Sequence, residues 1–491
     1  MSNEATTTGQ PFSIRSLIGP LAAVIIGMIM VILDSTVVNV ALPNLMESFQ
    51  TDVNKIQWTV TGYTLALSAV IPLAGWMTDR FGAKRIFLLT VAFFTIGSVL
   101  CSFAGSAEQL IIYRVIQGLG GGMVAPIGMA MVFRLAPPEK MGAVMGTLGV
   151  PMLLAPALGP VLSGYFVEYL TWHWIFLINL PIGVIALLVG MKFLPNLERK
   201  EVPQLDYLGI ILAPIAFATL AYAVSEGGKS WTSTQTITSL IIGFVALILF
   251  IIVELRQRQP LLELRVFGSS DFRRGIVITW LMQIALFGVF VLIPVFLQQV
   301  KGYGPLQTGL ISLPQALASG LMMPIGGRLF DKVGARPLAL VGLSVVTGAL
   351  VMLAQIEMTT GTGYIIGALV LMGAGMGLCM MAINTHVLQS APRQLVSRVT
   401  PLTTAAQQVM VSFAVAGMTG FLTSRVREHM GAVPNPLEAA VSSYGDTFYL
   451  AAAIAALGVF FALFLRRPRQ QPQQDPAGGD AQPNAAMMAG H

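Results

Sequence analysis

Charge is what this sequence has least of. Lysine, arginine, aspartate and glutamate make up 10% of its 491 residues, against a hydrophobic share of 55% and a mean hydropathy of +0.76. A soluble domain carries about 25% charged residues. The chain therefore cannot cover a water-facing surface and reads as a polytopic membrane protein. Cysteine is nearly absent too. Cys101 and Cys379 both fall inside apolar runs and read as small packing residues without a redox role. No nucleophile paired with a base and no metal-ligating cluster stands out, so nothing points to an enzyme, a cofactor or a metal. Two stretches imitate nucleotide motifs. AVSEGGKS at 223–230 ends like a phosphate loop but lacks its first glycine. GLGGG at 118–122 and GAGMG at 373–377 lack the GxGxxG spacing and lie within apolar runs, where they read as packing devices.

Long apolar runs are what the chain has instead. Segments near the 20 or so residues that a bilayer demands recur fourteen times, the first at 17–42 and the last at 445–465. The first is too long for a signal-peptide core and is expected to be a retained span. Lipid offers no partner to an exposed backbone amide, so the spans are expected to be helices. Placing both termini in the cytoplasm puts all but six of the 28 lysines and arginines on that side. Lys55, Lys229, Lys301, Arg425 and Arg427 fall outside, and Arg114 lies within the fourth span. This is the positive-inside asymmetry. The basic pI, about 9.4, is then a matter of topology and not a nucleic-acid footprint.

GWMTDRFGAKR at 75–85 and GRLFDKVGARP at 327–337 match in register at an offset of 252 residues. Gly75, Asp79, Arg80, Gly82 and Lys84 correspond to Gly327, Asp331, Lys332, Gly334 and Arg336. That offset equals eight spans at the average spacing, so two homologous six-span halves must be separated by two extra spans. The expected organisation is a cytoplasmic stretch at 1–16, a first half at 17–194, two inserted helices at 195–254, a linker at 255–274, a second half at 275–465 and a polar, unfolded tail at 466–491. The fold class is all-α, with two six-helix halves, two inserted central helices and fourteen transmembrane helices. In the loops, glycine is expected to allow a tight turn, and Asp79 and Asp331 to sit at helix starts, where the dipole favours them.

Six stretches in order resemble one family, the fourteen-span drug:proton antiporters of the major facilitator superfamily. They are LDSTVVNVALP (33–43), GWMTDRFGAKR, LIIYRVIQGLGGG (110–122), GVPMLLAPALGPVLSGY (149–165), WHWIFLINLPIG (172–183) and PLLELRVF (260–267). His173 stands where that family usually has arginine. The resemblance implies proton-driven export of lipophilic, often cationic compounds by alternating access, from the inner membrane of a bacterium. It also implies a conformational role for the paired loop motif and for the fifth-span residues Gly149, Pro156, Gly159, Pro160 and Gly164. In a double-membraned cell a periplasmic adaptor and an outer-membrane channel would be the partners.

The residues carry their own argument. Asp34 is the one acid well inside a span and Arg114 the one deep cation, about 12 and 9 Å from their outer ends. Charge at such depth costs about 2.5–3.5 kcal/mol even on the lenient insertion scale, so each needs a reason. A fixed pair locking two helices is one. A proton site is the other, because burial disfavours a carboxylate's charged form while an approaching cation restores it. Asp34 is expected to face a cavity. Arg114, Gln117, Gly118 and Gly121 share a helix face that suits a watery cavity or close packing. Asn39, Gln117, Gln283, Gln315, Asn384, Gln407 and Gln408 are candidate contacts for the substrate, though amides in spans also serve as interhelical glue. A same-fold exporter of a lipid, siderophore or endogenous metabolite is the rival reading, and a non-transporting receptor or scaffold the rival of another class.

Overall fold

A computed structural model describes residues 15–465 apart from 52, 57, 197–206, 228–229, 258–259, 261, 393–394 and 433–434. The expected tail and the first residues of the amino-terminal stretch lie outside it. The described residues are helical throughout, with no strand. The first half runs α1 (Arg15–Phe49), a short α2 (Val53–Ile56), α3 (Trp58–Val70), α4 (Leu73–Phe81), α5 (Ala83–Ser102), α6 (Ala107–Gly121), α7 (Val124–Leu135), α8 (Met141–Tyr169), α9 (His173–Leu177) and α10 (Asn179–Phe193). The inserted pair is α11 (Tyr207–Gly227) and α12 (Thr234–Arg256). The second half is α13 (Ser270–Gln299), α14 (Pro305–Val333), α15 (Ala335–Ala354), α16 (Thr362–Gln389), α17 (Val396–Ala432) and α18 (Pro436–Ala462).

Among the described residues, eleven spans are long and apolar enough to cross a membrane, or twelve when α3 and α4 count as one. The two other expected spans are helices as well, α8 with 29 residues and α11 with 21, the apolar part of α11 being the shorter Leu208–Val224. α3 and α4 meet at an angle of 53°. Pro72 sits at that break, where it cannot donate to the turn before it.

Glycine sets how closely the helices approach, and it does so twice. A Cβ on Gly118 would lie 2.6 Å from Tyr63 O, one on Gly120 2.6 Å from Phe94 N, and one on Gly122 would meet Leu67 O. In the second half Gly373, Gly375 and Gly377 close in the same way on Gln315, Val346 and Ser319. Each of those neighbours lies 252 residues after its counterpart. The internal repeat is therefore a repeat of packing and not only of a loop motif. The two glycine clusters are packing devices, as small residues at membrane helix crossings are.

The halves meet along one long seam, where α8 packs on α14. Backbone meets backbone there. A Cβ on Gly142 or Gly327 would strike the other's carbonyl, one on Gly146 would lie 2.7 Å from Met323 O, and Gly149 faces the Met323 side chain. Gly159 closes instead on Thr36 of α1, and Gly164 has nothing within 4 Å. The fifth-span helix thus lies between the halves as expected, but not all its glycines serve that contact. The side chains of Pro156 and Pro160 lie outside the described residues.

Candidate functional site

Asp34 and Arg114 meet. Asp34 is 0% exposed and Arg114 1%, and Arg114 Nη1 donates to Asp34 Oδ2 over 2.6 Å. The same nitrogen donates to Gln117 Oε1 at 2.8 Å, and Arg114 Nε to Thr59 O at 3.1 Å. The guanidinium lies over the Tyr63 ring, 3.9 Å from its centroid, with the Phe176 ring at 5.7 Å. Two aromatic faces and three acceptors suit the flat guanidinium fork. Asp34 Oδ1 accepts from Gln117 Nε2 at 2.9 Å and from Asn179 Nδ2 at 2.8 Å. Every one of these contacts on the carboxylate is a donor, the surroundings a carboxylate, which only accepts, can satisfy.

Asn179 extends the network. Its Nδ2 also donates to Ser98 Oγ at 2.9 Å, and Ser98 Oγ donates to Phe176 O at 2.9 Å. Only Ile178 separates α9 from α10 and its backbone stays helical, so Phe176 and Asn179, three residues apart, share the face turned to the site. Cys101 Sγ closes the rim, 3.5 Å from Gln117 Oε1. Thr59, Tyr63, Ser98 and Asn179 were not singled out in the sequence, and Cys101 was read only as a packing residue. Asn179 had a signal, its place in WHWIFLINLPIG; the others are ordinary span residues there.

Two expectations are corrected. Asp34 does not face a cavity in this conformation. It is fully buried, with donors from α6 on both of its oxygens and one from α10 on Oδ1. Of the two uses expected for the polar face of α6, this conformation shows close packing, with Arg114, Gln117, Gly118 and Gly121 all buried. Gln117 belongs to this network and is not a free cavity contact.

The paired loop motif is also placed differently. Gly82 and Gly334 make the turns, with φ of 94° and 82°. Gly75 and Gly327 sit inside α4 and α14 and allow helix contact: a Cβ on Gly75 would lie 2.5 Å from Ser397 O. Asp79 and Asp331 stand in last turns, not first turns, and each reaches the start of a helix in the other half. Asp79, buried, holds Arg134 at 3.2 Å, Arg398 at 3.6 Å and the Ser397 hydroxyl at 3.2 Å, the last two at the start of α17. Asp331 accepts the amides of Gly142 at 2.8 Å and Ala143 at 3.1 Å at the start of α8. The expected affinity for a helix N-terminus holds, but the helix is across the interface. Lys84 Nζ donates to Met191 O at 2.8 Å, while Arg80 and Arg336 are exposed. Lys332 is exposed as well.

Among the amides of the second half, one pair is hydrogen-bonded. Gln407 Nε2 donates to Asn384 Oδ1 at 3.2 Å. Gln283 and Gln315 are each 5% exposed, and Gln283 Oε1 and Gln315 Nε2 have no hydrogen-bond partner. Gln408 is half-buried. The Asn39 side chain lies outside the described residues. His173 stacks on Trp172 with ring centroids 3.8 Å apart.

Two packed helical halves with a repeated core, a repeated inter-half contact and a buried ion pair are the architecture of a membrane transporter. The comparisons give the family. Residues 24–415 match the Major Facilitator Superfamily, and the chain belongs to it. It is 35% identical over 409 residues to a "Multidrug resistance protein B homolog" of Mycobacterium tuberculosis, covering 81% of this chain and 75% of that one. It is 32% identical over 460 residues to "Lincomycin resistance protein LmrB" of Bacillus subtilis, covering 92% and 95%. Among solved structures, the human organic anion transporter MFSD10 superposes with a TM-score of 0.68 at 15% identity, covering 92% of this chain and 100% of that one. The proton:xylose symporter XylE gives 0.63 at 14%, covering 93% and 97%. These two show the same fold.

Proposed function

We propose that this protein is a proton-coupled exporter of lipophilic, often cationic compounds, working by alternating access in the inner membrane of a bacterium. Fourteen spans, with both termini in the cytoplasm, complete the reading. A drug exporter is supported by the relatives named for multidrug and lincomycin resistance. Proton coupling is supported by one observation above all, the buried Asp34 with hydrogen-bond donors on both oxygens. A proton on that carboxyl removes the charge that holds Arg114 and sets an O–H among three donors, which weakens their hold on it. Two of them belong to α6 and one to α10. Loading the proton is thereby tied to the packing of those helices, which is the link a coupled transporter needs between protonation and conformation. Each charge moved across 100 mV supplies about 2.3 kcal/mol, enough for more than a tenfold gradient of cargo.

The decisive experiment is transport by purified protein in liposomes, with an imposed pH gradient and a panel of cationic dyes. Wild-type protein should accumulate dye against its gradient, and Asp34→Asn should lose gradient-driven transport while still binding dye. An asparagine variant that pumps uphill would remove Asp34 from the coupling step.

A further inference from the structure

The two sides on which the halves meet are unlike each other. On one side α8 and α14 touch directly, from Gly142 and Gly327 up to Gly309, whose Cβ would lie 3.0 Å from the Val161 side chain. On the other side contact between the halves is concentrated at the loop-motif end, where α4 reaches α17 through Gly75 and Asp79. Beyond the 53° bend at Pro72, α3 makes no comparable contact with α17. α11 stands there, packed on both α3 and α17.

The fit of α11 is specific at both walls. Tyr222 stacks on Trp58 at the start of α3, with centroids 5.9 Å apart and planes at 27°. Trp231, just after α11, packs over Gly227 and brings its indole nitrogen to 3.9 Å from where a Cβ on Gly420 of α17 would lie. Ala213, Ala216, Phe217, Leu220, Ala223 and Val224 are buried. α12 backs the wedge from outside, with Gly243 against Leu220 and Phe250 edge-on to Phe217. Its other faces are bare, Ile241, Ile248 and Leu255 among them, as a lipid-facing helix should be. The consequence shows on α3: after Trp58, none of its residues is exposed.

We infer that the inserted pair α11–α12 seals the lipid-side gap between α3 and α17, so that cargo in the outward-facing state leaves to water and not into the outer leaflet. For a lipophilic cargo the distinction matters, because a molecule released into the outer leaflet returns by crossing the bilayer, while one released to water is diluted away. This inference rests on the sidedness and export reading given above, but its test does not need transport. Purified protein in vesicles containing a diazirine-bearing phosphatidylcholine would be irradiated, and the attached lipid mapped by mass spectrometry. α12 should be labelled heavily and 59–70 severalfold less. In the Tyr222→Ala, Trp231→Ala double variant, label on 59–70 should rise severalfold, and dye released by the reconstituted variant should partition towards the outer leaflet. Wild-type labelling of 59–70 at the level of α12 would overturn the seal, as would a double variant that leaves 59–70 unlabelled. Wild-type protein that pumps no cationic dye yet protects 59–70 would defeat the export reading alone.

Discussion

Ser397 donates its hydroxyl to Asp79 Oδ2 over 3.2 Å, although 318 residues separate the two in the chain. With Arg398 on the same carboxylate and Arg134 opposite, this is a latch between the halves. It holds only while α4 and the start of α17 are together. Asp79→Asn should weaken it by about 1.5–3 kcal/mol, the range for hydrogen bonds to a charged group. Roughly a tenfold or greater loss of the closed state should follow, read as a longer spin-label distance between the ends of α4 and α17. Transport should slow with little change in dye affinity. A tenfold loss of affinity with unchanged distances would contradict the latch.

Arg114 should resist conservative change. Its guanidinium serves Thr59 O, Asp34 and Gln117 at once and lies against the rings of Tyr63 and Phe176. Lysine is a compact point charge without that fork. Arg114→Lys should insert in the membrane but lose most transport. Arg114→Gln leaves Asp34 buried without its cation and should lower stability by about 3–5 kcal/mol. Adding Asp34→Asn to it should restore much of the stability without restoring coupling, measured by thermal unfolding alongside the liposome assay.

Asn179 is expected to matter beyond packing. Asn179→Leu removes donors from both Asp34 Oδ1 and Ser98 Oγ, a loss of about 1–3 kcal/mol where buried acceptors go unsatisfied. Gradient-driven transport should fall more than dye binding does. Wild-type transport by the leucine variant would show that Gln117 and Arg114 suffice to hold the carboxylate.

The repeated glycines give a paired steric test. Gly118→Ala and Gly373→Ala each drive a methyl into a carbonyl of the neighbouring helix, and overpacking of this kind costs about 1–3 kcal/mol. Both should melt at lower temperature than wild type in detergent. Gly164→Ala, with open space around it, should melt as wild type does. Equal behaviour of all three would mean that the helices give way freely.

Much of this could be read in the sequence because lipid makes charge conspicuous. Asp34 and Arg114 stood out by depth alone, and Gln117 followed from helical spacing. Asn179 did not, since an uncharged amide near a span end has many possible uses and only the packing of α10 against α1 and α5 aims it. The misplaced role of Gly75 and Gly327 has a similar cause. A glycine followed by a charged loop suggests a turn, whereas here the turn belongs to the next glycine and the first one admits another helix. Asp79 and Asp331 were assigned to the nearest helix start. Ser397 and Arg398 for Asp79, and the amides of Gly142 and Ala143 for Asp331, lie in the opposite half, a distance along the chain that no local pattern encodes.

The duplicated core also makes this molecule its own control experiment. Gly373 closes on Gln315 as Gly118 closes on Tyr63, so the residues just before each glycine correspond. Where the first half has Arg114 and Gln117, the second has Leu369 and Met372, both 0% exposed. Tyr63, which carries the guanidinium, is matched by a glutamine. The same helical frame thus stands in one copy with an ion pair at its centre and in the other with uncharged residues at the matching places. A fold that assembles without the charge in one copy does not require it for assembly in the other, and the carboxylate and its cation are left to be explained by what they do.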